Sequence, residues 1–400
     1  VLKWNFGAFK AVFRGTMVFD LLRWLRHPRI SFRLDSAHPL GCSHHQKIVV
    51  IDDRLAVCGG IDMAGERWDT TEHRENDRRR RLPGHRKGFP PWHDCTMLME
   101  GAVAGALGEY GRTRWEQAGG KPMPPCRPQV ASPWPYALDA EFENVEIGIS
   151  RTRSQWGNNP EVREIEALFI EQIGRAKRFI YAENQYFASR KVAEAIALRL
   201  TEPDPPEIVL VMPLVSHGWL EQQAMDGARV RLAHAVAAKD HARRFSVWVP
   251  LNAAGTPIYV HSKLMIVDDE ILRVGSANMN NRSMGLDSEC DVFIDSARPA
   301  NAHCPKVIQA IRHRLLAEHC GLAIGDVAER LESAGSMAAM IAEAGARGGR
   351  RLEPFQPRAL TETEKVLADA EVLDPERPEE MLAFYRRGGL FKSRILRRPR

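Results

Sequence analysis

What the sequence lacks narrows its reading first. No run of 18 apolar residues occurs anywhere in the 400-residue chain, so no segment reads as a bilayer-spanning helix. There is no C-x-x-C pair, and the cysteines are odd in number (Cys42, Cys58, Cys95, Cys126, Cys290, Cys304 and Cys320). That argues against a disulfide framework and against a structural zinc site. Isolated cysteines in apolar surroundings, as in Ala56-Val57-Cys58, read as buried small hydrophobes and favour a reducing compartment. Nor is there a large excess of one charge: the net balance is only +5. Arginine nevertheless far outnumbers lysine, which suits bidentate contact with phosphate and fits an anionic substrate or surface. The chain opens on Val1-Leu2-Lys3-Trp4-Asn5-Phe6, which already reads as structured sequence. The expected setting is cytoplasmic or peripheral to a membrane, with room for a secretory signal or a membrane domain outside this chain.

What is present is a short internal repeat. His45-Gln46-Lys47-Ile48-Val49-Val50-Ile51-Asp52 is followed, after six residues, by Gly59-Gly60. His261-Ser262-Lys263-Leu264-Met265-Ile266-Val267-Asp268 is followed at the same distance by Gly275-Ser276. Both read H-x-K-x4-D-x6-G-[GS], and one domain length separates them. One such motif alone could be a buried strand ending in a turn. Two with the same glycine offset argue for a duplicated functional unit.

The surrounding pattern places the motifs. Ile48–Ile51 and Leu264–Val267 read as buried strands, Ala56–Cys58 and Ile271–Val274 as their hairpin partners, with turns at Asp52-Asp53-Arg54 and Asp268-Asp269-Glu270. Between the motifs, helices are expected over 161–177, 191–200 and 220–238. Strands are expected over 178–182, 208–212 (ended by Pro213) and 245–249 (ended by Pro250). The fold class predicted is α/β: two similar halves, each a mixed β-sheet flanked by helices, with the active site at their interface. The boundaries read as a first half over 1–117, a Gly/Pro-rich linker over 118–142, a second half over 143–322, and a helical appendage with a basic tail, outside the core, over 323–400.

The motif residues suit phosphodiester chemistry. In an extended segment His45 and Lys47 share a face, as do His261 and Lys263, while Asp52 and Asp268 are offset toward the turn. Neutral imidazole is a competent nucleophile at phosphorus. A second histidine can protonate the leaving oxygen and then deprotonate water or an alcohol. Two ammonium groups stabilise charge on the phosphoryl oxygens, so no metal and no cofactor is expected.

These paired motifs resemble those of the phospholipase D superfamily. The second continues Gly275-Ser276-Ala277-Asn278-Met279-Asn280-Asn281-Arg282-Ser283 and then Asp287-Ser288-Glu289, similar to the family's G-S-A-N-x-N-x-R-S run and its later S-E. The first begins His44-His45-Gln46-Lys47 and continues through Gly59-Gly60-Ile61-Asp62, Arg67-Trp68-Asp69 and Glu72-His73-Arg74, which looks like the lipid-acting branch. Pro91-Trp92-His93-Asp94 and Glu183-Asn184-Gln185-Tyr186-Phe187 also resemble that branch, and the matches together span about residues 1–320.

The resemblance implies a phospholipase D-type phosphodiesterase that hydrolyses or transphosphatidylates glycerophospholipids through a covalent phosphohistidine. His45 would be the nucleophile and His261 the general acid and base. Lys47, Lys263 and Asn278 would bind the phosphoryl group, Glu289 would orient a histidine, and Asp52 and Asp268 would brace the turns. Candidate substrate contacts are Ser276, His44, Trp68, Asp69 and Trp92. The first copy has Gly60 and Asp62 where the second has Ser276 and Asn278, so the halves are not equivalent. Asp69, Glu72 and His73 are the candidates for the first-copy counterpart of Glu289. The partners implied are a phospholipid and a water or alcohol acceptor, in a monomer. The basic run Arg78–Arg81 with His85-Arg86-Lys87, and the basic tail after Arg386, suggest peripheral contact with an anionic membrane; nucleic acid is disfavoured. The alternatives are a nuclease or other phosphodiesterase of the same fold, a cardiolipin synthase-like transferase, and a non-catalytic membrane- or nucleic-acid-binding scaffold. The intact His–Lys pairs argue against the last.

Overall fold

The computed structural model describes residues 1–4, 17–126, 131–216, 219–356 and 374–375. The basic tail after Arg386 lies outside these residues. In chain order the strands are β1 (Leu2–Trp4), β2 (Arg33–Asp35), β3 (Ile48–Ile51), β4 (Leu55–Gly59), β5 (Trp92–His93), β6 (Thr96–Glu100), β7 (Gly148–Arg153), β8 (Val162–Arg163), β9 (Phe179–Glu183), β10 (Glu207–Val211), β11 (Phe245–Leu251), β12 (Tyr259–Val260), β13 (Leu264–Val267), β14 (Ile271–Gly275), β15 (Glu289–Asp295) and β16 (Arg351–Pro354). The helices are α1 (Met17–Arg26), α2 (Ala102–Gln117), α3 (Glu164–Arg175), α4 (Arg190–Leu200), α5 (Trp219–Ala237), α6 (Asn281–Gly285), α7 (Pro305–Cys320), α8 (Ile324–Ala334) and α9 (Met337–Gly345).

The predicted α/β class is the one found, built on a nine-stranded mixed sheet of order β16-β11-β10-β9-β13-β14-β15-β7-β8. Its parallel part, β9-β10-β11, is linked by α4 and α5. Its central strands are apolar on both faces, as a sheet covered on both sides requires. Ile180, Ala182, Ile208, Leu210, Met265 and Val267 pack on one side under α3 and α4. Tyr181, Val209, Val211, Leu264 and Ile266 pack on the other against α7, α8 and α9.

The second core corrects two readings. Val327, Met337, Met340, Ile341, Ala344 and Leu352 belong to it, so α8, α9 and β16 are not an appendage outside the core. They supply the cover for one face of the sheet and its edge strand. Pro250 does not end β11; the strand runs to Leu251, and Pro250 lies opposite Leu352 of β16. A strand near an edge tolerates proline because the partner ladder there is short.

The two halves share a module rather than equal sheets. In the first, β3-β4-β6 form a three-stranded antiparallel sheet backed by α2; in the second, β13-β14-β15 are followed by α7. Both hairpins turn through consecutive aspartates with positive φ, 54° and 56° at Asp52 and Asp53, 56° and 59° at Asp268 and Asp269. Short polar side chains tolerate this mirror-image turn, which matches strand twist. In both, the second aspartate takes an arginine from the helix that follows: Arg112 on Asp53 through Nη1 alone, Arg312 on Asp269 through Nε and Nη2. The small sheet, through Ala56, Cys58 and Met99, and its helix α2, through Leu107, share a core with Cys290 and Val292 of the large sheet.

Candidate active site

Two cross-connections between the halves build the site. Ser288, just before β15, pairs with the first motif: its carbonyl accepts from the backbone N–H groups of His45 and Gln46, and its own N–H donates to Ser43. Conversely, β12 runs parallel to β5, pairing Tyr259 with Trp92 and Val260 with His93, and His261 donates its N–H to the His93 carbonyl. Each motif histidine is therefore delivered to a carboxylate of the opposite half.

His45 Nδ1 lies 2.8 and 2.9 Å from the two oxygens of Glu289, and His261 Nδ1 lies 2.9 Å from Asp94 Oδ2. Burial would raise the Glu289 carboxyl, but the charge and hydrogen bond of His45 outweigh it and hold it below its usual value. At Asp94, likewise, burial is outweighed by the hydrogen bond from His261. Both acids are ionised acceptors, so each ring donates from Nδ1 and, in its neutral form, carries its lone pair on Nε2. Glu289 also accepts from Ser276 Oγ at 2.5 Å and Ser283 Oγ at 2.7 Å. Burial, then the charge of Lys263, depresses His261 to about 3, so this ring is neutral without substrate.

The lysines repeat the same geometry. Lys47 Nζ donates to the His45 carbonyl at 2.7 Å, and Lys263 Nζ to that of His261 at 2.5 Å. Burial, partly offset by Asp94 and reinforced by the neighbouring charge of Lys47, brings Lys263 down to about 7. Asn278 is buried, and its Oδ1 has no hydrogen-bond partner among the described residues. The motif glycines are set by close approach: a Cβ on Gly60 would lie 2.3 Å from Asp94 Oδ1 and 3.0 Å from the His261 carbonyl.

The remaining expected residues divide. Asp268 accepts from the backbone of Lys177, Arg178 and Phe179, so it braces the start of β9 as well as its own turn. Asp52 is exposed and has no side-chain partner among the described residues; bracing in that turn falls to Asp53. Ser276 is fully buried against Glu289, so it supports the carboxylate and does not line the cleft. His44 points into an ion cluster with Asp35 and Arg114. Asp69 holds its loop by accepting from His73, Arg80 and the Trp92 N–H. Trp68 is half exposed beneath Arg79. Trp92 is buried and packs its ring 5.0 Å from that of His261. None of Asp69, Glu72 and His73 is the counterpart of Glu289; that position is held by Asp94. The Pro91-Trp92-His93-Asp94 run contained this signal, but no spacing rule connects it to His261.

Behind the site lies a buried network not foreseen from the sequence. Glu183 accepts from His93 Nε2, Ser262 Oγ, Tyr181 OH and His319 Nε2. His93 Nδ1 in turn faces Glu318 at 2.8 Å. With a carboxylate at both nitrogens, His93 is an imidazolium: burial opposes the charge, but Glu183 and Glu318 together lift its pKa well above 6.5. A raised pKa means the folded state holds a proton that the unfolded chain releases near 6.5. The resulting stability is complete below that pH and is lost as pH rises toward the folded pKa. The loss of melting temperature in His93→Gln should therefore be larger at pH 6.5 than at pH 9 by calorimetry. An equal loss at both would show that His93 is not a cation.

Two inward-facing His–Lys arms from duplicated modules, each histidine held by a carboxylate of the other half, define a two-motif α/β protein with one shared site. Residues 233–368, which hold the second motif, match the family model Phospholipase D. Phospholipase D alpha 1 of Nicotiana tabacum is 26% identical over 402 residues, covering 70% of this chain and 49% of its own length. Phospholipase D1 of Saccharomyces cerevisiae is 25% identical over 384 residues, covering 72% of this chain and 23% of its own. The chain thus spans about half the length of the plant relatives it matches, and less of the yeast one. Among solved structures, phosphatidylserine synthase of Haemophilus influenzae is similar with a TM-score of 0.47 at 14% identity over 72% of this chain and 65% of its own. Nuc of Salmonella typhimurium matches with a TM-score of 0.30 at 16% identity, over 42% of this chain and 91% of its own. The chain is thus similar in sequence to phospholipases D over about 70% of its length. No helix among its described residues is long and apolar enough to cross a membrane.

Proposed function

We propose that this chain hydrolyses or transfers the phosphatidyl group of glycerophospholipids through a phosphohistidine. The observation that carries the reading is the reciprocal buttressing of His45 by Glu289 and of His261 by Asp94, with a lysine two residues beyond each histidine. The Nε2 lone pair of His45 attacks phosphorus as the bond to the head-group oxygen breaks, and His261 gives that oxygen a proton. Water or an alcohol then attacks the phosphohistidine, His261 takes its proton, and the N–P bond breaks. The burial that keeps His261 neutral is countered when an anionic diester enters, because a negative charge beside the ring favours its protonated form. Lys47 and Lys263 take the phosphoryl oxygens, with Asn278 as a neutral donor.

The basic loop fits peripheral contact with an anionic bilayer. Arg78, Arg81, Arg86 and Lys87 are all on it, and none makes an ion pair among the described residues, whereas Arg74, Arg79 and Arg80 are paired with Glu72, Asp77 and Asp69.

The test is to incubate the purified chain with phosphatidylcholine vesicles and ethanol in the presence of EDTA. Phosphatidylethanol is the expected product. Addition of phosphatidylglycerol to the vesicles should raise the rate at low salt and lose that effect at high salt. No product from any of a panel of phospholipids, with cleavage of a nucleic-acid diester instead, would sink the lipid reading.

A further inference from the structure

The two arms differ by one charge at matched positions. Counted from the glycine pair, Asp62 stands in the first arm where Asn278 stands in the second. Asn278 is buried and neutral, but the Asp62 side chain is 40% exposed. Its Oδ1 lies 3.2 Å from Lys47 Nζ, and its Oδ2 lies 3.9 Å from Arg67 Nε. The Arg67 guanidinium sits 4.3 Å above Trp92, the ring that packs on His261. Asp62 is thus tied to both arms, and its carboxyl is drawn down to about 2: burial opposes this, but the neighbouring positive charge, that of Lys47 above all, prevails. Unlike Asp94, Asp268 and Glu289, it takes no backbone or hydroxyl hydrogen bond among the described residues, so nothing assigns it to bracing.

A fixed negative charge beside a site for an anionic phosphoryl group is unfavourable unless the substrate brings a compensating cation. In the free protein Lys47 is that cation. When a phosphodiester arrives, its oxygens compete for Lys47, and Asp62 loses its partner. A head group with an ammonium two carbons from the ester oxygen would replace it at once; a neutral or anionic head group would leave two negative charges facing each other.

We propose that Asp62 is a specificity-determining residue that makes the cleft prefer phosphodiesters whose head group is a cation. The inference rests on the phosphatidyl-transfer reading above. It assigns Asp62 to the leaving head group in hydrolysis and, by the same contact, to cationic alcohols as acceptors.

The experiment compares wild type with Asp62→Asn on dihexanoyl-phosphatidylcholine and dihexanoyl-phosphatidylglycerol, both as dispersed monomers so that vesicle charge plays no part. The ratio of kcat/KM for the choline over the glycerol lipid is expected to fall about tenfold in the variant, mostly through KM. An equal loss on both lipids would make Asp62 a support for Lys47 and overturn the proposal, as would an unchanged ratio. Turnover of neither lipid by wild type removes the phospholipid reading itself, and this inference with it, a result visible before any variant is compared.

Discussion

His45→Ala should lower turnover of any phosphodiester by about 10⁴-fold or more, because it removes the nucleophilic nitrogen of the proposed mechanism. His261→Ala should cost about as much on a phospholipid, whose head-group oxygen leaves poorly without a proton. The two variants should separate on bis(p-nitrophenyl) phosphate, since nitrophenolate leaves without an acid. His261→Ala then releases one equivalent of nitrophenolate in a burst and stalls with the remaining p-nitrophenylphosphoryl group on His45, because no base activates water. His45→Ala gives no burst. A p-nitrophenylphosphoryl group found on His45 by mass spectrometry of the stalled protein would assign the nucleophile. A burst from His45→Ala with none from His261→Ala would reverse the assignment. The asymmetry in burial favours the first outcome: the His45 side chain is 29% exposed and that of His261 only 7%. The more accessible ring suits attack, and the enclosed one suits proton transfer in a site whose charge changes when substrate enters.

Loss of the carboxylate buttresses should be the next largest effect. Glu289→Gln and Asp94→Asn keep nearly the same volume, but remove the charge that stabilises an imidazolium and fixes Nδ1 as the donor. Each is expected to lower kcat by about 10²–10⁴-fold, with KM changed far less, since neither carboxylate is placed to touch substrate. Because Glu289 serves His45 and Asp94 serves His261, the bis(p-nitrophenyl) phosphate burst distinguishes them. Glu289→Gln should slow the burst itself, and Asp94→Asn should leave the burst and slow the steady state. Near-normal kcat for either variant would mean that the hydrogen bond positions the ring without contributing its charge. A slowed burst in both would mean that the two arms act as one unit.

The site was legible in the sequence to the extent that it is local. Both His–Lys pairs lie within three residues, and both hairpin turns follow from adjacent aspartates between apolar runs. The α/β alternation from α3 to β11 is also a matter of short-range periodicity, so those helices and strands fall close to where the pattern places them. The errors arise where the deciding contact is distant in sequence. Asp52 and Asp268 look alike in the motif, yet only Asp268 meets the start of a neighbouring strand, because only the second hairpin has β9 beside it. Residues 324–354 are rich in alanine and charge and read as peripheral, but the open face of the nine-stranded sheet needed cover, and they supply it.

From sequence alone came the duplicated motif, the chemistry that two imidazoles and two ammonium groups can perform, and the superfamily. Each depends on residue identity and short spacing, which the chain carries in one dimension. Tertiary structure alone decided which carboxylate meets which histidine. The pairing of β12 with β5, and of Ser288 with the first motif, exchanges them between halves, so that His45 finds Glu289 244 residues away and His261 finds Asp94 167 residues away. It also decided that Ser276 supports an acid while Asp62 lies partly exposed beside Lys47. Burial and contact with a distant partner set the protonation and the role of each group, and neither is a property of the residue's own neighbourhood in the chain.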